Sequence, residues 1–166
     1  MGVAWIIAAA VFFADFLIKT YLRTNFSYSS IPVIEKIFHI TVVENSGAAF
    51  GFLRGKTTFL ICIGIVFILV FLFVMKKEEK KGPLFLASCG LIIGGAISNL
   101  YDRIFLGFVI DYIDLQIWPV FNLSDSCITV GAFLLVWQSY RRPRHKPDSK
   151  KNNSIHTQVN SKDTSA

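Results

Sequence analysis

Charged side chains are nearly absent from four long stretches of this 166-residue chain. They run from about Val3 to Leu22, Thr57 to Met75, Pro83 to Tyr101 and Leu123 to Tyr140. A helix needs about 20 predominantly apolar residues to cross a hydrocarbon layer of about 30 Å, so each stretch is read as a spanning helix. The first is read as retained: it lacks a basic start, Asp15 and Lys19 interrupt its far end, and no small-residue cleavage site follows. Between the first two stretches the periodicity changes. The β-branched cluster Ile40, Thr41, Val42, Val43, followed by Asn45-Ser46-Gly47, predicts a strand and a turn within residues 38–52.

The third stretch carries Gly90 and Gly94 four apart, with Gly95 and Ala96 beside them. Small residues let helix backbones approach where no hydrophobic force drives association. Pro83 suits a first helical turn, whose N–H groups lack partners anyway. The fold expected is an all-α membrane protein with four transmembrane helices and a small extracytoplasmic β element, forming one domain over residues 1–142. Residues 143–166 offer almost nothing to bury and read as a disordered basic cytoplasmic tail. No internal repeat marks the chain as a two-halved transporter.

Composition supports lipid as the solvent: 17% of residues are charged, against about 25% in a soluble domain. The net charge of +6 is concentrated in Lys76, Lys77, Lys80 and Lys81 and in the tail from Arg141. Cytoplasmic loops carry such excesses, so both termini are placed inside and both longer loops outside. Trp118, Tyr112 and Tyr101 then fall at the outer interface, and Trp137 and Tyr140 at the inner one. No aromatics interleave with the basic tail, which argues against nucleic-acid binding. Cys62, Cys89 and Cys127 lie in separate apolar runs without metal-ligand spacing and read as small apolar fillers, with no disulfide framework.

Ionisable groups beside spans are expensive and mark the chemistry. Asp15 and Lys19 stand one helical turn apart, a pair that neutralises itself and anchors the helix end or supports an active-site rim. Asn45 reads as a turn residue or as an amide for an extended peptide. Asp102 and Arg103 close the third helix and read as a structural ion network. Asp111, Asp114 and Asp125 are the informative set. Asp125 alone would be an N-cap of the fourth helix. Paired with Asp111 or Asp114 it becomes a dyad in which one carboxyl keeps a proton and the other activates water. Spacing does not choose between Asp111 and Asp114. No Ser/His, Cys/His or HExxH arrangement competes, since His39, His145 and His156 lie apart.

Five segments in order resemble signal peptidase II, the bacterial lipoprotein signal peptidase family. They are Asp15-x-x-x-Lys19, Asn45-x-Gly47-Ala48-Ala49-Phe50, Gly94-Gly95-Ala96-x-Ser98-Asn99-x-x-Asp102-Arg103, the run around Asp111, and Phe121-Asn122-x-Ser124-Asp125-Ser126. The resemblance covers nearly all of the chain except the tail. It implies an aspartic endopeptidase that cleaves a prolipoprotein just before its diacylglyceryl-modified Cys, with Asp111 and Asp125 catalytic. It implies that Asn45, Asn99, Arg103 and Asn122 shape the site, and by the same motifs that Asp102, Asp15, Lys19 and Gly47 support it. It also implies a short amphipathic surface helix, no metal or organic cofactor, and residence in the bacterial inner membrane with the site on the extracytoplasmic side. The partners expected are that lipidated substrate and membrane lipid, with the enzyme a monomer. Ser98 and Ser124 depart from the family's usual Gly and Ala; Ser98 is expected to back-bond to its own helix, and Ser124 sets a hydroxyl beside Asp125. The start of the fourth helix favours an ionised Asp125 and leaves the proton on Asp111.

Overall fold

A computed structural model describes residues 1–27, 29–47, 53–78 and 82–141. Four long helices and one small sheet make up this portion: α1 (Gly2–Phe26), β1 (Ser30–Ile34), β2 (Phe38–Asn45), α2 (Thr57–Lys77), α3 (Pro83–Phe105), β3 (Val109–Asp114) and α4 (Leu123–Arg141). Three of the helices, α1, α2 and α3, are long and apolar enough to cross a membrane. Part of the expected turn after Asn45 (Ala48 to Phe52), Lys80, Lys81 and the tail 143–166 lie outside the described residues. No surface helix accompanies the four long ones among the described residues.

Glycines draw α3 into the middle of the bundle. A methyl group on Gly94 would lie 2.5 Å from the Ala8 carbonyl oxygen and 2.9 Å from the Ala8 Cα. One on Gly90 would meet the Ala4 carbonyl oxygen at 2.6 Å. Gly95 faces the other way, against the Ser124 carbonyl oxygen of α4 at 2.5 Å. Side chains this small allow backbone-to-backbone packing on two sides of one helix. α2 is different: only 6% of its most apolar window is buried by protein. Cys89 packs in the core with Ala8, Met75, Phe85 and Ile93. All three cysteines are free, and Cys62 lies on the exposed surface of α2.

Two helices run further than expected. α1 continues past Leu22 to Phe26, with Thr24 and Asn25 returning side-chain bonds to the carbonyls of Thr20 and Tyr21. α3 passes Tyr101 and ends at Phe105, so Asp102 and Arg103 belong to its last turns. It is stopped by Gly107, whose φ of 86° is left-handed and whose N–H donates to the Arg103 carbonyl at 3.2 Å. This single bond over a left-handed glycine closes a helix and turns the chain, here straight into β3.

The sheet is antiparallel in the order β1-β2-β3. The expected strand is β2; β1 and β3 are additional. β3 holds the run around Asp111, and its first four residues are buried. One of them is Tyr112, 6% exposed, which is therefore a core residue and not part of an interfacial belt. It packs with Leu22, Val42 and Ile110 over the end of α1. Phe121 bridges back to Ile113, with N–H···O bonds of 2.7 and 3.0 Å. That clamp delivers Asn122 and the start of α4 to the side of β3.

The close approach of α3 to α1 gives a stability test. Gly94→Ala forces a methyl group into backbone that cannot swing aside and should destabilise the protein by about 1–3 kcal/mol. Gly64→Ala, whose methyl would meet only the Leu100 side chain at 3.4 Å, should be near neutral. Thermal melting in mild detergent compares the two; equal midpoints would refute the packing argument.

Candidate active site

Asp111 and Asp125 reach one cavity of about 610 Å³ from different elements. Asp111 belongs to β3, where side chains alternate between faces. Val43 of β2 lies opposite Asp111, and Asn45 lies opposite Val109. This puts Asn45 diagonally across from Asp111 on one face, within reach for a cross-strand bond. The Asn45 Nδ2 donates to Asp111 Oδ2 at 2.9 Å. Its other amide atom, Oδ1, accepts the Gly47 N–H at 3.0 Å. Asn45 is thus both the expected turn residue and a holder of Asp111.

Asp125 is not the cap of α4. That place is taken by Asn122, whose Oδ1 accepts the Asp125 N–H at 2.9 Å. The Asp125 carboxylate in turn accepts the Asn122 N–H at 3.4 Å. Reciprocal bonds between a cap and the third helical residue form a capping box. Asn122 then uses its Nδ2 toward Asp111 Oδ1 at 2.7 Å. One asparagine therefore touches both acids. A third, Asn99 of α3, donates its Nδ2 to Asp125 Oδ1 at 2.8 Å.

Behind the cavity lies a buried cluster. Lys19, 2% exposed, contacts Asp15 at 2.6 Å and Asp102 at 2.8 Å. It also donates to Asn99 Oδ1 at 3.0 Å. That bond orients the Asn99 amide with its NH₂ toward Asp125. The expected self-neutralising pair on α1 is accordingly part of a contact between helices. Asp102 turns inward to Lys19 and accepts the Ile110 N–H at 3.2 Å. Arg103 turns outward to the cavity and donates to the carbonyls of Asn99 and Gly47, each at 3.3 Å.

The structure brings Asp111, Asp125, Asn45, Asn99, Arg103 and Gly47 to the cavity wall, with Asn122 buried beneath the two acids. Asp15, Lys19 and Asp102 stand behind it. Asp114 is elsewhere: it accepts the Thr41 hydroxyl at 2.8 Å and the Gln116 N–H at 2.9 Å. Sequence reasoning gave no site role to Trp118, Pro119 and Val120, which also line the cavity. It also missed Tyr112, whose OH donates to Asp15 at 3.2 Å. Both departures from the motif behave differently from expectation. Ser98 donates to Asp15 Oδ2 at 2.7 Å rather than to its own helix, and Ser124 donates to the same oxygen at 2.6 Å, turned away from Asp125.

Burial, with the negative charge of Asp125, pushes the Asp111 carboxyl up to about 6 against the opposing amide bonds of Asn45 and Asn122. Burial and the Asp15 charge likewise raise the Tyr112 phenol, which stays protonated as a donor. No group of three or more His, Cys, Asp or Glu side chains forms a metal site among the described residues.

A family model described as Signal peptidase (SPase) II matches residues 7–141. A lipoprotein signal peptidase of Halothermothrix orenii is 45% identical over 138 residues, spanning 81% of this chain and 94% of its own. One from Moorella thermoacetica is 42% identical over 134 residues, spanning 80% and 89%. A bacterial membrane enzyme solved by the in meso method at 2.3 Å superposes with a TM-score of 0.80 at 30% identity, covering 90% of this chain and 94% of that one. A second, at 1.9 Å, gives a TM-score of 0.77 at 31% identity, covering 85% and 94%.

The shifted carboxyl has a direct test. Below a pH of about 6 Asp111 holds its proton, and above it the carboxylate forms. Removing the neighbouring anion in Asp125→Asn favours ionisation, so the Asp111 midpoint should fall. Infrared titration of the carboxylic C=O band reads both values; a midpoint that rises in the variant would contradict the charge coupling.

Proposed function

Since the chain belongs to the signal peptidase II family, we propose that it is a membrane aspartic endopeptidase of prolipoproteins, cutting the signal peptide off just before the diacylglyceryl-modified Cys. Family membership makes it a peptidase of a bacterial membrane family. The finer reading is carried by one observation: two carboxylates from separate elements line one cavity, each held by asparagine amides.

In this reading Asp125 is the base and Asp111, whose carboxyl is held up at about 6, is the acid that carries the shared proton in the reacting complex. Asp125 takes a proton from water as the water oxygen attacks the scissile carbonyl carbon. Asp111 gives its proton to the carbonyl oxygen, leaving a neutral tetrahedral diol. The diol then returns a proton to Asp111, and Asp125 protonates the nitrogen of the lipidated Cys. The C–N bond breaks, giving a new carboxyl on the signal peptide and a free amine on the Cys. Shared-proton pairs of this type work because close carboxylates do not both ionise. The three asparagines hold the acids with neutral donors through both protonation states. Arg103 offers positive charge to the cavity, and Asp15, Lys19, Asp102 and Gly47 support the frame.

The topology follows the same logic. α4, Leu123–Arg141, serves as the fourth span of a single unit over residues 1–142. The ends of α1 and α3, the start of α4 and the sheet share one end of the bundle, the extracytoplasmic side. Lys76 and Lys77 close α2 at the other end, facing the cytoplasm with both termini. A lipid-anchored substrate reaches such a site sideways from the membrane, and one copy of the chain provides all the site residues.

Cleavage of a diacylglyceryl-modified precursor tests the assignment, with the new amine located by mass spectrometry. Asp111→Asn and Asp125→Asn should each lose about 10²- to 10⁴-fold in kcat, the usual worth of general acid–base groups. Asp114→Asn should retain most of its activity. An active Asp111→Asn or Asp125→Asn enzyme would sink the dyad.

A further inference from the structure

The buried carboxylate of Asp15 has more partners than neutralising Lys19 requires. Its Oδ2 accepts from the Lys19 ammonium at 2.6 Å, the Ser124 hydroxyl at 2.6 Å and the Ser98 hydroxyl at 2.7 Å. Its Oδ1 accepts the Tyr112 phenol at 3.2 Å. The three hydroxyls come from α4, α3 and β3. Each belongs to the residue next to a site residue: Ser124 beside Asp125, Ser98 beside Asn99, Tyr112 beside Asp111.

We propose that Asp15 is a positioning residue of the active site, gathering the chain neighbours of Asp111, Asp125 and Asn99 on one carboxylate and so fixing those three side chains relative to one another. The inference rests on the peptidase reading above. Its mechanism is geometric. Successive side chains point to opposite faces of a strand and about 100° apart around a helix. A hydroxyl drawn toward α1 therefore leaves its neighbour aimed away, into the cavity. Tyr112 extends the effect, because its oxygen also accepts the Leu123 N–H of the first turn of α4 at 3.1 Å. Lys19 adds a second route from Asp15, through Asn99 Oδ1 at 3.0 Å, to the amide that holds Asp125. A dyad needs its reacting groups within a few tenths of an ångström of productive geometry, and a buried hub bonded to three elements supplies that constraint.

Asp15→Ala would leave Lys19 buried with one carboxylate fewer and risks unfolding, so the informative variants remove hydroxyls only. Ser98→Ala with Ser124→Ala, and separately Tyr112→Phe, leave the Asp15–Lys19 pair and every cavity-lining side chain in place. Ser88→Ala is the control: Ser88 is equally buried in α3, but its hydroxyl bonds the Leu84 carbonyl of its own helix at 2.8 Å. The readouts are kcat and KM for the lipidated precursor, per folded molecule, alongside the melting temperature. Losing one or two buried hydrogen bonds that orient the reacting groups should lower kcat about ten-fold. KM should stay within about two-fold, because the donors do not face the cavity, and Ser88→Ala should keep wild-type kcat. If the hub variants keep wild-type kcat per folded molecule, or lose only KM or stability, Asp15 is structural and the proposal fails while Asp111→Asn remains inactive. An active Asp111→Asn would overturn the peptidase reading and this proposal together.

Discussion

A lysine ammonium shut away from water between two carboxylates is the constraint on which the rest of this molecule depends. Lys19 is 2% exposed and pairs with both Asp15 and Asp102. Burying an ion carries a desolvation penalty of several kcal/mol, offset only when geometry and hydrogen bonds are complete. Here they are nearly complete. Lys19 spends its three donors on Asp15, Asp102 and Asn99, and the two acids accept Ser98, Ser124, Tyr112 and the Ile110 N–H besides. Such a cluster forms in one arrangement of α1, α3, α4 and β3. It is better understood as specifying that arrangement than as adding net stability.

Close packing makes the cluster possible. The glycines on two sides of α3 bring Ala8 of α1 and Ser124 of α4 to backbone contact. Short side chains such as Ser98 and Ser124 then suffice to span between helices. The sheet completes the arrangement from outside the bundle. Gly107 ends α3 and sends the chain into β3, and the Phe121 bridge returns it to the start of α4. Asp111 and Asp125 approach because two turns are fixed, not because either acid attracts the other.

Much of this could be read from the residues, and the gaps have physical reasons. Uncharged runs of helical length gave α1 to α3 directly, because lipid leaves no other way to satisfy the backbone. The glycine pair on α3 marked a close approach but not its partner. β3 was illegible: it is buried through Tyr112, so it lacks the apolar–polar alternation that identifies a strand. That gap is also why Asp111 and Asp114 were indistinguishable. Three residues apart, they lie on opposite faces once the segment is extended. Asn122 was visible as a motif residue, but its capping role was assigned to Asp125, one helical turn away. The serines misled most. A hydroxyl in a helix ordinarily bonds its own backbone, and only the buried charge on α1 makes a better acceptor.

The choice of holders for the two acids carries its own logic. A carboxylate bonded directly to Arg or Lys is pulled toward ionisation, its pKa falling by about 1–3 units. A pair held that way would lose the proton it needs to share. In this site the cations stop one group short. Lys19 reaches Asn99, not Asp125, and the Arg103 guanidinium donates to the carbonyls of Asn99 and Gly47. The acids receive asparagine amides and a backbone N–H instead. Neutral amides favour the carboxylate less than a bonded cation would, so burial and the neighbouring anion still hold Asp111 up at about 6 against them. The buried lysine thus does two separate things: it locks the frame through Asp15 and Asp102, and it aims an amide at Asp125 without bonding that carboxylate itself.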